Sequence, residues 1–269
     1  GERERFVTTL FAEHRFQFFT NRLDITPGLS VSNYTDFGTQ FFPGVDIGFA
    51  INPAFRLYAN AGYTYRIPTF TDLYYSDSTT LGNENLKAEE AITEEIGFRW
   101  TKNRSQISMA VFNRSARNLI DYIRPSAEGR FEASNIRKVN THGFEFEAKT
   151  QFILGNNPQL FTLGYTYLND DVDQINVDFS RYSINSLRHH LTFNQISNFN
   201  KNLSLTWNYK LGQRPERDAY HVFDASIRYR IKAVELNLSF FNIFDEVYSE
   251  SNLVPLPLRN GTFGLVFAF

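Results

Sequence analysis

The side chains able to do chemistry are few, and their spacing limits what they can do. His189 and His190 are adjacent, among five histidines in all. In an extended strand, neighbouring side chains point to opposite faces, so these two imidazoles cannot chelate one ion together. One histidine on each face is the plainer reading. Asp170, Asp171 and Asp173 offer carboxylate oxygens of the kind calcium takes, but they lack the spacing of an EF-hand loop. A solvated acidic loop accounts for them more simply. Ser186 or Ser251 with His189 is the one hint of a nucleophile and base, and catalysis would need an orienting acid to converge with them. Cysteine is absent, which removes disulfides and thiolate metal sites. The expectation is a protein that is not an enzyme, with no catalytic residues, no metal site and no cofactor.

The segment Thr69–Leu86 has a different character. It places Tyr74 and Tyr75 beside Asp72 and Asp77, just after Arg66. Aromatic rings with polar tips next to carboxylates form an amphipathic cluster that could grip a bulky ligand. Arg66, Asp72, Tyr74 and Tyr75 are therefore the candidate substrate-binding residues. The competing reading is that Pro68-Thr69 through Leu73 folds the loop back onto the structure that carries it.

Elements with a period of two flank these residues. Leu203, Leu205, Trp207, Tyr209 and Leu211 alternate with Ser204, Thr206, Asn208 and Lys210. Phe223, Ala225, Ile227, Tyr229 and Ile231 alternate with Asp224, Ser226, Arg228 and Arg230. The same holds for Val234–Phe240, and for Phe263, Leu265, Phe267 and Phe269 at the end. Earlier segments, such as Leu57–Tyr65 and Phe161–Tyr167, follow the rule less cleanly. Strict alternation predicts half-buried strands, about 13 of them. Helical periodicity is absent at useful length.

The opposite faces carry Arg56, Glu95, Arg99, Glu145, Glu147 and Lys149. Charges in mid-strand suit a watery lumen better than a dry core, where an unpaired charge is very costly. Aromatics reach 16%, with 28 Phe and 14 Tyr, while mean hydropathy is only -0.36. A membrane barrel reconciles the two, because its strands of about 9–11 residues turn only every second side chain to lipid. Trp100, Trp207, Tyr209, Tyr229 and Tyr248 suit its interfacial girdles. Connections predicted as short, near 20–21, 52–53, 102–104, 155–158, 200–202 and 232–233, alternate with polar stretches near 33–41, 67–88, 123–138, 169–186, 212–219 and 245–260. Short turns on one side and long loops on the other are the habit of outer-membrane barrels. A net charge of -2 gives no basic field for nucleic acid.

Several runs together resemble the C-terminal half of the TonB-dependent receptor family. The most specific is Tyr65-Arg66-Ile67-Pro68-Thr69-Phe70-Thr71-Asp72-Leu73-Tyr74-Tyr75, followed by Gly82-Asn83-Glu84-Asn85-Leu86-Lys87-Ala88-Glu89. Glu84 and Ala88 stand where the family usually has proline. Asn118–Tyr122, Gly143–Glu147, Phe223–Ser226, Asn242–Asp245 and Tyr248 also match, in order along the whole chain.

The resemblance implies an all-β, transmembrane antiparallel β-barrel of the bacterial outer membrane. Residues 1–269 would supply the C-terminal part of a 22-stranded wall, with the plug domain and first strands absent and no TonB box before Arg5. It implies active uptake of a scarce bulky nutrient such as cobalamin, a ferric siderophore or haem. The expected partners are outer-membrane lipid, the plug, TonB and a small-molecule substrate. Arg66, Arg228, Arg230 and Arg259 would line the lumen or its mouth, or pair with plug carboxylates. Phe269 resembles the terminal aromatic read by the barrel-assembly machinery. A passive porin, or an outer-membrane barrel enzyme, are the alternatives.

Overall fold

The computed structural model describes residues 2–124, 128–135, 138–172, 179–180, 187–215, 217–250 and 254–267. Among them the strands are β1 (Val7–Glu13), β2 (Phe16–Phe18), β3 (Leu23–Tyr34), β4 (Gly38–Asn52), β5 (Phe55–Arg66) and β6 (Thr80–Leu81). Then come β7 (Glu89–Lys102), β8 (Ser105–Arg117), β9 (Ile120–Arg124), β10 (Phe131–Asn135), β11 (Lys138–Leu154) and β12 (Asn157–Val172). The last are β13 (Phe179–Ser180), β14 (His189–Asn198), β15 (Leu203–Gln213), β16 (Tyr220–Ile231), β17 (Val234–Phe241) and β18 (Asn260–Phe267). One short helix, α1 (Phe70–Tyr74), interrupts them. No helix among the described residues is long and apolar enough to cross a membrane, which says nothing of strands.

The chain forms two compact units. The second comprises residues 99–109, 144–168 and 186–269. Within it, β12, β14, β15, β16, β17 and β18 pair in chain order, each antiparallel to the next. Register converts the alternation of the sequence into continuous rows. Leu205 lies opposite Ile227, Ile227 opposite Leu238, and Leu238 opposite Phe263. All four are apolar. One residue along, Ser204 lies opposite Arg228 and Arg228 opposite Asn237; on the other flank Thr206 meets Ser226, and Ser226 meets Ser239. Polar neighbours bond along these rows: Ser226 Oγ donates to Ser239 Oγ at 2.9 Å, and Arg228 Nε to Ser204 Oγ at 3.2 Å. Arg230 pairs with Glu235. One face of the sheet is hydrocarbon and the other is a hydrogen-bonded polar lining. Phe263 on the apolar face is 66% exposed, so protein does not cover that face.

The first unit comprises residues 1–98, 110–143 and 169–185. Its β1, β3, β4 and β5 repeat the scheme, with β2 beside β3. Leu23, Phe49 and Leu57 form an apolar row. In the polar row beside it, Asp24 lies opposite Gly48 and accepts ion pairs from Arg56 and Arg15. Gly48 makes room for the guanidinium, since a Cβ there would meet Arg56 Nη2 at 1.8 Å.

The short turns carry their own chemistry. Asn52 Oδ1 accepts from the amides of Ala54 and Phe55, and Asn200 Oδ1 from those of Asn202 and Leu203. Asparagine closing a turn onto its own main chain is a standard device.

The other side departs from the sequence reading in four places. Residues 33–41 are not a long loop: β3 and β4 run almost into each other through a turn at 35–37. Residues 67–88 contain α1 and β6, and the stretch 123–138 contains the end of β9 and all of β10. These loop strands form a separate sheet, in the order β13, β9, β10, β6. In it β10 runs parallel to β6, against the expectation of antiparallel strands throughout. Finally, β12 extends to Val172, so Asp170 and Asp171 lie in a strand rather than a loop. Thr141 Oγ1 donates to Asp170 at 2.6 Å. Asp173, Ser186, Ser251 and Phe269 lie outside the described residues.

Candidate functional site

The candidate residues of the first unit converge around α1. Pro68 starts the turn out of β5, and Thr69 caps the helix. The Asp72 amide donates to Thr69 Oγ1 at 3.1 Å, and the Asp72 carboxylate accepts from the Thr69 amide at 2.9 Å. This reciprocal capping box satisfies main-chain donors that a five-residue helix otherwise leaves open. The second Asp72 oxygen accepts from the Tyr122 hydroxyl of β9 at 3.0 Å. Asn83 donates its amide to the Asp72 carbonyl at 2.9 Å. Asp72 is therefore buried and bound inside the loop.

Beneath it lies a small apolar core. Leu73, Leu86, Ile120, Tyr122 and Ala133 are buried together, with Phe37, Tyr74 and Phe131 packed against them. Gly82 crosses so closely that a Cβ there would lie 2.8 Å from the Leu73 carbonyl carbon and the Tyr74 nitrogen. Asparagines tie the edges. Asn83 Nδ2 donates to the Ala133 carbonyl at 3.1 Å, and Asn135 Nδ2 to those of Lys87 and Asn118 at 2.9 and 2.6 Å. The resemblance motif 65–89 and the motif 118–122 thus meet in one folded loop body.

The four candidates divide. Asp72 and Tyr74 build this body: Tyr74 packs on the core, and the Arg3 guanidinium lies 3.3 Å from its ring centroid. Arg66 is half exposed and donates from Nε to Glu89 at 2.6 Å, with Asp72 3.8 Å away. Glu89 in turn accepts from the Ile120 amide at 2.8 Å. Tyr75 faces outward, 46% exposed. Its hydroxyl donates to Asp77 at 2.9 Å, and Asp77 also accepts from the Thr79 and Thr80 amides at 2.7 and 2.6 Å. These donors, the Thr79 amide first and the Tyr75 hydroxyl next, draw the Asp77 carboxyl down to about 2. The ring is thus exposed while its hydroxyl is tied to the turn that follows it.

The remaining candidates belong to the second unit. His189 Nδ1 bonds the Tyr165 hydroxyl at 2.8 Å. Among the described residues no group of three or more His, Asp or Glu could hold a metal ion. Arg228 and Arg230 bond within the polar rows, and the Arg259 amide donates to Asp245 at 2.8 Å. Sequence reasoning missed Tyr122, Glu89 and Asn135 as supports of the loop. In the second unit it also missed the grouping of Lys210, Arg214, Tyr220 and Glu250.

Residues 2–243 match the model of the TonB dependent receptor-like β-barrel family. The vitamin B12 transporter BtuB of Vibrio vulnificus is 26% identical over 226 residues, covering 80% of this chain and 34% of that protein. The ferric enterobactin receptor of Pseudomonas aeruginosa is 21% identical over 246 residues, covering 80% and 32% respectively. Among solved structures, the siderophore receptor PirA of Acinetobacter baumannii aligns with a TM-score of 0.77 at 16% identity, over 98% of this chain and 46% of that one. The FrpB iron transporter of Neisseria meningitidis aligns with a TM-score of 0.75 at 16% identity, over 98% of this chain and 45% of that one. The chain spans about a third of the length of these two curated relatives.

Proposed function

The chain belongs to the TonB-dependent receptor β-barrel family, and from that premise we propose that it is part of the wall of an outer-membrane active transporter. Its substrate is a scarce bulky nutrient of the cobalamin, ferric siderophore or haem class. The apolar rows face lipid and the polar rows face the lumen. Protein outside these residues supplies the plug domain, the remaining strands and the contact with TonB, consistent with the fraction of each relative that the chain spans. Substrate meets the loop body built on Asp72, with Tyr75 and Arg66 as the presented groups.

The observation that carries the reading is the family match over residues 2–243. The loop body supports it, because an ordered platform keeps few rotamers to freeze on binding. No catalytic role is assigned to any residue.

Uptake by cells expressing the full-length protein tests it. Accumulation of labelled cobalamin, a ferric siderophore or haem is expected to saturate and to stop when TonB is deleted. Uptake that rises linearly with concentration and ignores TonB would instead identify a passive channel.

A further inference from the structure

In the second unit, Lys210 projects from β15 on the polar face, opposite Val222 of β16. Its ammonium forms an ion pair with Glu250, from the segment after β17. Two rings flank the ammonium, which lies 5.1 Å from the Tyr248 centroid and 5.9 Å from that of Tyr220. The rings themselves are 5.0 Å apart and tilted by 32°. The Tyr220 hydroxyl donates to Glu250 Oε1 at 3.4 Å. Arg214, 8% exposed, donates to the carbonyls of Ser249 and Glu250, fixing the main chain that delivers the carboxylate. Gly212 lets the Tyr220 ring lie flat, since a Cβ there would come within 2.3 Å of it. A cavity of about 200 Å³ adjoins Arg214, Tyr220, Tyr248 and Ser249.

A cation, two ring faces and an adjoining cavity are complementary to an acid carried on an aromatic ring. The chain's own carboxylate already fills the anion position. Hydrogen bonding from Lys210 holds the Glu250 carboxyl below the usual carboxylate range. We propose that Lys210, Tyr220 and Tyr248 form a subsite for an aryl carboxylate, with Glu250 as the resident anion that a ligand displaces. The two partners are 29% and 40% exposed, and exposed ion pairs contribute little, so exchange is inexpensive. The proposal deepens the transporter reading by naming a substrate class, and rests on it only for where the ligand goes next.

Binding is therefore measured apart from uptake, with benzoate as probe and acetate as the ringless control, by ligand-observed NMR on the full-length protein in micelles. Glu250→Ala is expected to tighten benzoate up to about fivefold, the range of an exposed ion pair. Lys210→Met is expected to abolish binding, and acetate to bind more weakly than benzoate in the wild type and in Glu250→Ala. Each variant is first checked for a folded barrel by its gel mobility without heating. Benzoate affinity unchanged in both folded variants overturns the subsite, as does weaker binding in Glu250→Ala. Either result leaves TonB-driven uptake, measured separately, as it was.

Discussion

Replacing Asp72 by alanine should open the loop body without touching the strands. The carboxylate accepts from the Thr69 amide, the Thr69 hydroxyl and the Tyr122 hydroxyl at 2.8–3.0 Å, and the residue is 8% exposed. Loss of the cap contribution costs about 1 kcal/mol. Leaving the Tyr122 hydroxyl short of its charged acceptor in the core costs roughly 1–3 kcal/mol more. The terms share one side chain and do not add in full, so about 3 kcal/mol is expected. Local opening of that size raises amide exchange by about 100-fold. The amides to follow by mass spectrometry are those of Leu73, Tyr75 and Asn83, which donate to Thr69, Thr71 and Asp72. Tyr122→Phe removes one of the three donors and should raise the same rates only about tenfold. Exchange within about threefold of wild type in Asp72→Ala would refute the idea that this carboxylate organises the loop.

Tyr75→Ala should weaken substrate binding with normal assembly, whereas Tyr74→Ala should also raise exchange of the Leu73 amide, because Tyr74 belongs to the core; equal effects of the two on exchange would contradict the division. Arg at Leu205, in the apolar row, should destabilise by about 2–4 kcal/mol near the midplane, against little for Arg at Ser226 in the polar row; denaturant titration in lipid vesicles compares them. Asp77 has a folded pKa of about 2, depressed from 3.8, so its contribution is present above the unfolded value and lost as pH falls through about 2. The Thr79 and Thr80 amides should therefore stay protected at pH 4 and lose protection towards pH 2, once intrinsic exchange is corrected; protection lost already at pH 4 would contradict the assignment.

The strands were legible because alternation and register obey the same period. Leu205, Ile227, Leu238 and Phe263 come from four strands, yet each is placed by its own neighbours in sequence. The turns at Asn52 and Asn200 were legible for the same local reason. The loop body was not. Helix α1 is too short to show a period, although Thr69 and Asp72 stand at capping-box spacing in the sequence. The parallel pairing of Thr80 with Phe131 joins segments about fifty residues apart, and no local pattern encodes it. Asp72 looked like a ligand group because its partner Tyr122 is just as distant. The turn at 35–37 read as a long loop because its polar flanks Asn33 and Thr39 pair across the hairpin, Nδ2 to Oγ1 at 2.8 Å. Lys210 and Glu250 are forty residues apart, beyond any spacing rule.

In the proposed membrane wall, alternate residues of these strands meet lipid and water. These residues include no cysteine, so each substitution places a single thiol among them. A membrane-impermeant maleimide applied to intact outer membranes should label cysteines at Ser204, Ser226 and Ser239. It should leave cysteines at Leu205, Ile227 and Leu238 unmodified until the bilayer is dissolved. Labelling that ignores this alternation would contradict the membrane-wall account.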